Sequence, residues 1–328
     1  MKEIFIKIFP RLHLTLISMT PNGYRINGGL GFSVESPNLE LTIKPSKDFQ
    51  INDYRNIPFN NKESENVKNV INSIIENYKF NLNIAINIKG NCPTHYGFGT
   101  GTSIRLAAIE ALFKINDYAY DRRLLISLSG RGKTSGIGIR TYFDGGFVMD
   151  LGHVKNNDEI LPSNLREGIK GSSLLLKNGK TPNWEFGICI PKFINFKTQK
   201  EEEEFFKNTI PIKPESVYEI LYHCTYGIVP SFLENNINVF NDACSNIQKT
   251  EWKQKERSLY GELLNKLEKD LVSFGAETVG MSSLGPTLFF ISSDLKSTVK
   301  LIKKLYGNRI DVFVTKANNK GREFKCLN

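Results

Sequence analysis

The residues best suited to chemistry lie between Pro93 and Ser103, in the stretch PTHYGFGTGTS. Gly97, Gly99 and Gly101 stand at alternate positions there, with Thr100, Thr102 and Ser103 beside them. The alternating run NLNIAINIKG leads in, and IRLAAIEALFKI, with apolar residues at helical spacing, leads out, so the stretch joins a strand to a helix. The first N–H groups of a helix have no intrahelical acceptor and sit at the positive end of its dipole. Glycine removes the Cβ that would hold an anion's oxygens away from those amides. Such a turn is suited to cradling a phosphate or diphosphate. It is not the GxxxxGK[ST] loop, since no lysine follows the last glycine. Nor is it the dinucleotide GxGxxG, since Thr-Ser-Ile-Arg follows Gly101. His95, inside the loop, reads either as a phosphate ligand or as a turn residue.

Three further segments combine glycine with polar and charged side chains. GMSSLGPT, Gly280 to Thr287, sets Ser282, Ser283, Gly285 and Thr287 between two strands. Gly130 to His153 is dense in glycine and carries Arg131, Ser135, Arg140, Asp150 and His153. Arg11 to Phe32 carries Arg11, His13 and Arg25. Together they suggest one polar cleft. Each residue also has a plainer reading: His13 as a satisfied strand side chain, Asp150 as a turn cap, Arg140 as a surface charge. No Ser-His-Asp order and no metal-ligand cluster stands out.

Around these segments the first hundred residues read mostly as strands, EIFIKIF, LHLTLIS, GFSVES and LELTIKP, broken at TPNG, NGG and SPN turns. SENVKNVINSIIENY has a helical apolar face, LNIAINI is the strand before the glycine loop, and the helix after it spans about Thr102 to Lys114. DRRLLISLSG begins at an aspartate that can cap a helix. GGFVMDL, GSSLLLK and WEFGICI read as strands. From about residue 196 polar helices dominate, and the chain closes as strand, strand, helix, strand. This is an α+β chain of two packed halves.

The bulk properties agree. The chain has 328 residues, 40% hydrophobic and 23% charged, ordinary for a globular protein and long enough for two domains. Its five cysteines are scattered with no CxxC pair, which suits a reducing cytoplasm and argues against a disulfide framework or zinc site. No apolar run reaches membrane-span length, and MKEIFIKIFPRLHL does not read as a signal peptide, so a cytoplasmic protein is expected. A net charge of +9 admits an anionic partner, but the lysines are dispersed and Glu201 to Glu204 form a counter-run. No basic aromatic stripe marks a nucleic-acid binder.

Pro93 to Ser103 resembles the phosphate loop of the GHMP superfamily, which includes galactokinase, homoserine kinase, mevalonate kinase and phosphomevalonate kinase. RLHLTLIS…YRINGGLGFSVESP, GRGKTSGIGI…FDGGFVMDLGH and MSSLGPT more specifically resemble the β-ribofuranosylaminobenzene 5′-phosphate synthases in content, order and rough spacing. The likeness covers most of the first 155 residues and the segment near 280. It implies a GHMP-type two-domain α+β fold. An N-terminal phosphate-binding domain with a mixed or antiparallel sheet would span 1–170, and an α+β domain, 171–328, would pack against it.

The resemblance further implies a transferase that joins 5-phosphoribosyl 1-pyrophosphate to an aromatic or heteroaromatic carboxylic acid. CO2 and pyrophosphate leave, and a C-riboside 5′-phosphate remains, as in methanopterin biosynthesis. Gly97, Gly99, Thr100, Gly101, Thr102 and Ser103 would hold the pyrophosphate, with Mg2+ carried mainly on the phosphates. Arg25 would clamp a carboxylate or the 5-phosphate, and with Asp150 and His153 it forms the expected catalytic group. Arg11, His13, Arg131, Ser135 and Arg140 would contact substrate, and Ser282, Ser283, Gly285 and Thr287 would close the opposite wall. Ser18 and Asn27 stand where the family is more often acidic, which puts Mg2+ handling or acceptor identity in question. The rival on the same fold is an ATP-dependent small-molecule kinase, against which Pro286, lacking an N–H, counts. Gly99→Val is expected to abolish turnover without unfolding the chain. No nucleic-acid or membrane partner is expected, and a homodimer is the commonest assembly for such a chain.

Overall fold

The structure, a computed structural model, describes residues 2–155, 160 and 173–327. The chain opens with β1 (Glu3–Ile8), β2 (Arg11–Ser18), β3 (Arg25–Ser33), β4 (Leu39–Ser46) and β5 (Gln50–Asp53). Then come α1 (Asn61–Tyr78), β6 (Asn83–Gly90) and α2 (Thr100–Ile115). Helices α3 (Arg122–Ser129) and α4 (Ile137–Asp144) precede β7 (Phe147–Asp150), β8 (His153–Val154), β9 (Leu175–Gly179) and β10 (Glu185–Pro191). The helical stretch contains α5 (Gln199–Thr209), α6 (Pro214–Tyr222) with a π-helical extension to Ile228, α7 (Val229–Glu234), α8 (Ile237–Ile247), α9 (Glu251–Ser258) and α10 (Gly261–Ser273). β11 (Thr278–Met281), β12 (Leu288–Ile291), α11 (Leu295–Tyr306), β13 (Ile310–Lys316) and β14 (Glu323–Leu327) complete it.

The strands form three sheets, ordered β14-β1-β4-β6-β5, β2-β3-β7-β9 with β8 on β3, and β11-β12-β10-β13. Among the described residues only the β5–β6 pair is parallel. Alternation in β1 buries Ile4, Ile6 and Ile8 on one face. Helix α2 lies on that sheet and is apolar nearly all round, as a helix enclosed by other elements must be. Phe32 of β3 meets Phe186 of β10 at 4.9 Å between ring centroids, with Phe289, Phe232 and Phe240 around it. One core cluster includes residues from Ile4 to Ile291 and joins the second and third sheets, and a second gathers Leu264, Leu267, Phe290, Ile302 and Val312. Among the described residues no helix is long and apolar enough to cross a membrane.

The α+β expectation holds, with local differences. The NGG expected as a turn lies inside β3, where Asn27 (φ 66°) and Gly28 (φ 82°) bend the strand. The β2–β3 register shifts between His13 and Thr15, and pairing continues past the kink. Helix α4 lies within the glycine-dense segment, where Ile137, Ile139, Tyr142 and Phe143 bury together. The helix expected over PSFLENNINVFNDAC breaks at Asn235 (φ 55°), and that over KERSLYGELLNKLEKDLVSF breaks at Gly261 (φ 57°). β14 has little apolar pattern of its own and forms beside β1, carrying the end of the chain back to its first strand. The boundary expected between residues 170 and 171 lies outside the described residues, as do the first two residues of GSSLLLK.

Candidate active site

A cleft of about 680 Å³ lies where α2 begins. Helix α2 starts at Gly99 in the left-handed conformation (φ 74°), and no side chain caps its amides. The loop before it is anchored through its carbonyls. The Arg11 guanidinium donates to Gly97 O, the Ser282 hydroxyl donates to the same oxygen at 2.7 Å, and Arg11 N donates to Phe98 O at 3.2 Å. Ser282 Oγ also accepts from His13 N at 3.0 Å, and Ser283 N donates to His13 O at 2.9 Å. Three segments far apart in sequence are thus tied together, and while Thr102 N and Ser103 N donate to Gly99 O, the Thr100 and Gly101 amides are left for a ligand.

The glycines divide by role. A Cβ on Gly97 would lie 2.1 Å from Ser282 O, and one on Gly285 would lie 2.1 Å from Gly97 N, so these two serve backbone-to-backbone packing. A Cβ on Gly101 would meet only Arg131 Nη2, at 3.9 Å, and would otherwise project into open space. Gly101 is bare for the cleft's sake.

Arginines surround the cradle. Burial lowers Arg11 to about 10, partly countered by Cys92, Glu256 and Glu202. Burial, with the like charge of Arg131, lowers Arg105 to about 9. Arg131 is itself lowered by burial, against the pull of Glu202 and Glu63. The Nε atoms of Arg105 and Arg131 are buried without hydrogen-bond partners among the described residues. Crowded, partly desolvated guanidinium groups beside uncapped amides form an anion site.

The facing wall is mixed. Glu63 Oε2 accepts from Asn60 N at 2.8 Å in a capping box at the start of α1, and its Oε1 meets His95 Nε2 at 2.6 Å. The His95 ring stacks on Phe196 at 5.3 Å. Burial disfavours the charged ring, but the hydrogen bond to Glu63 and the charges of Glu63 and Glu202 outweigh it, and the His95 pKa is raised. Glu202, on the first turn of α5, is pushed up to about 7 by burial, against His95, Arg131 and Arg11. His13 is held well below its ordinary range by burial and by Arg11 and Lys253.

Of the residues expected in the site, Arg11, His13, Gly97, Gly99, Thr100, Gly101, Thr102, Arg131, Ser135, Ser283 and Gly285 line this cleft. Ser103, Ser282 and Thr287 stand just behind it: Ser282 ties the loop, and Ser282 N donates to Thr287 O at 3.1 Å. The expected catalytic group does not line it. Arg25 donates from Nε to Leu151 O at 2.9 Å and from Nη2 to Gly152 O at 2.8 Å, bracing the β7–β8 turn. Asp150 is fully buried and accepts from Gly136 N (2.9 Å), Ser135 Oγ (3.1 Å) and Gly152 N (3.0 Å). His153 Nε2 lies 3.0 Å from Gly132 O. Both hold up the Gly130–Gly136 loop from beneath. Arg140 donates to Ser173 O at 3.1 Å, also outside the cleft. Ser18 and Asn27 face each other across β2 and β3, away from the cleft, and the Asn27 amide is buried without a partner among the described residues.

Lys62, Glu63, Arg105, Gln199, Glu202 and Glu256 line the cleft without having been singled out from the sequence. Arg105 carried a signal, standing one helical turn after Gly101. Glu202 sat within a run that read as surface charge.

Residues 65–143 match the GHMP kinases N terminal domain. A homoserine kinase structure from Cytophaga hutchinsonii superposes with a TM-score of 0.65 at 17% identity, over 98% of this chain and 97% of that one. The fold is therefore of the GHMP type. Within that class the chain is similar to the beta-ribofuranosylphenol 5′-phosphate synthase of Methanothermobacter thermautotrophicus, 27% identical over 90% of this chain and 91% of the relative. Its counterpart from Archaeoglobus fulgidus is 29% identical over 96% and 97%. The chain is a full-length relative of these synthases, in line with the resemblance drawn from its motifs.

Proposed function

We propose that this chain is a decarboxylating ribosyltransferase that joins 5-phosphoribosyl 1-pyrophosphate to an aromatic acid and makes a C-riboside 5′-phosphate. The observation that carries the reading is the anion site itself: an uncapped helix N-terminus ringed by Arg11, Arg105 and Arg131. Full-length likeness to synthases named for a ribosylphenol phosphate supports it. The α2 amides, with the Thr100 and Thr102 hydroxyls, would grip the diphosphate. Arg105 and Arg131 would offset the charge that grows on it as the bond to ribose C1 breaks. Holding the acceptor ring against that carbon would supply much of the remaining rate.

The clamp first expected of Arg25 passes to these arginines, because Arg25 is engaged with backbone carbonyls. Asp150 and His153 act as supports of the Gly130–Gly136 loop. Among the described residues no group of three or more His, Cys, Asp or Glu side chains could cage a metal. That donor set fits a Mg2+ carried by the diphosphate and touched by loop hydroxyls, where it would neutralise phosphate charge.

The test is incubation with 5-phosphoribosyl 1-pyrophosphate, Mg2+ and a panel of aromatic and heteroaromatic acids. Release of CO2 with pyrophosphate is expected. ATP consumption driven by an alcohol acceptor, without CO2, would replace this reading with the kinase.

A further inference from the structure

Three carboxylates line the cleft: Glu63, Glu202 and Glu256. Two are already engaged. Glu63 closes the α1 capping box and holds His95. Glu256 meets Lys253 Nζ at 2.7 Å and accepts from Trp252 Nε1 at 2.8 Å. The Glu202 carboxylate makes no hydrogen bond or ion pair with the described residues, its backbone N donating to Thr198 O. Its neighbours on α5 do: Glu201 caps the helix through Thr198, and Glu203 accepts from Gln199 at 3.1 Å. The fold thus leaves one carboxylate unengaged in a cleft lined by Arg11 and Arg131, whose charges favour its ionised form while burial disfavours it.

We propose that Glu202 is the base that takes the proton of a ring hydroxyl on the acceptor. The relatives' name, ribofuranosylphenol phosphate synthase, already implies such a hydroxyl, here conjugated to the carboxyl-bearing carbon, and the new element is the side chain that deprotonates it. This rests on the ribosylation reading above.

The step balances. The hydroxyl proton passes to Glu202 Oε, and the O–H electron pair moves into the ring. The carboxyl-bearing carbon forms its bond to ribose C1 as the C1–diphosphate bond breaks, and the diphosphate leaves with that pair. The bond to the carboxylate then breaks, CO2 departs, and its pair restores the aromatic ring with a phenolate oxygen. That oxygen recovers the proton from Glu202, so no proton is gained or lost overall.

The other basic groups in the cleft fit this role less well. His13 is held low, so it is a weak base, and His95 already has Glu63 on Nε2. The groups acting on Glu202 are His95 and Arg131 from the two loops, Arg11 from β2 and Glu203 from its own helix, with Tyr260 nearby. Burial and these charges leave it at about 7, near the optimum for a base at neutral pH. His95, raised by Glu63, stands beside it to support the phenolate.

The experiment compares the wild-type chain with Glu202→Gln, using hydroxybenzoates and their methoxy counterparts, and measures donor binding separately by calorimetry with 5-phosphoribosyl 1-pyrophosphate. For the hydroxy acids, kcat is expected to fall about 10²- to 10⁴-fold in the variant, and the acid limb of the pH–rate profile near 7 to disappear. Donor affinity should hold or tighten, since a negative charge is removed, and this also shows that the variant is folded. Glu202→Asp should recover part of the rate and the limb. Undiminished turnover in Glu202→Gln with donor still bound overturns the proposal, as does a wild type that ribosylates methoxy acids equally fast. A wild type that binds the donor yet releases no CO2 from any acid overturns the ribosylation reading, and this one with it.

Discussion

The two glycine loops of the cleft are anchored differently. The first, ahead of α2, is held by its carbonyls: Arg11 and Ser282 donate to Gly97 O, and Arg11 N donates to Phe98 O. The second, Gly130–Gly136, is held from both sides: Ser135 Oγ and Gly136 N donate to Asp150, while Thr134 O accepts from Gly28 N and Gly132 O meets His153 Nε2. A loop whose acceptors are used up inside turns amides toward the cleft and attracts anions. A loop gripped by a buried acid gains a fixed shape, and here it fixes the path of the chain that carries Arg131. The difference shows that an acid and a histidine beside a glycine-rich cleft can be catalytic in type and structural in position.

The comparison is tested hardest at Gly101. Its α-position faces open cleft, and valine is a better helix former than glycine, so Gly101→Val should keep its melting temperature. Turnover with 5-phosphoribosyl 1-pyrophosphate should fall about 10²- to 10³-fold, the size expected for lost oxyanion donors. A fully active Gly101→Val would remove the α2 amides from the chemistry. Gly99→Val, expected from the sequence to leave the fold intact, is the poorer probe. At φ 74° a β-branched side chain is strained, so stability and activity should fall together.

The second loop is tested at Asp150. Asp150→Ala would leave the Gly136 and Gly152 amides and the Ser135 hydroxyl without an acceptor. A loss of about 2–4 kcal/mol is expected in urea unfolding. Burial raises the Asp150 pKa above 3.8 despite its hydrogen bonds to Gly152, Ser173, Gly136 and Ser135. Its contribution to stability is therefore fully present below 3.8 and declines as pH rises through the folded value. The stability gap between wild type and Asp150→Asn should narrow from pH 4 to pH 7. A gap that widens would mean the carboxylate is favoured in its charged form.

The smallest effect belongs to the mixed wall. His95 is raised, so its contribution is present below its unfolded pKa of 6.5 and is lost as pH rises through the folded value. Glu63→Gln should lower the His95 titration midpoint, read from its ring proton shifts by NMR, with little change in melting temperature. An unmoved midpoint would show that Glu63 does not control the ring.

Much of the site was legible because glycine records backbone geometry. Gly97 and Gly99 have positive φ, Gly285 packs backbone against backbone, and only glycine suits such positions, so the loops were visible as loops. Direction was less legible. Arg25, Asp150 and His153 looked like site residues by type, but strand order and the β7–β8 turn point them at carbonyls, amides and the underside of a loop. Glu202 was hidden in a run of four glutamates that reads as a solvated helix face, since nothing local distinguishes the one that faces inward.

By itself the sequence determined the alternation of strands and helices, the phosphate-type turn before α2 and the likeness to a family, because each is written in local spacing and residue type. Only the tertiary structure decided which charges share the cleft. Arg11, His95 with Arg105, Arg131 and Glu202 come from four separate stretches, and their fields add only once packing has gathered them round one cleft and removed water between them.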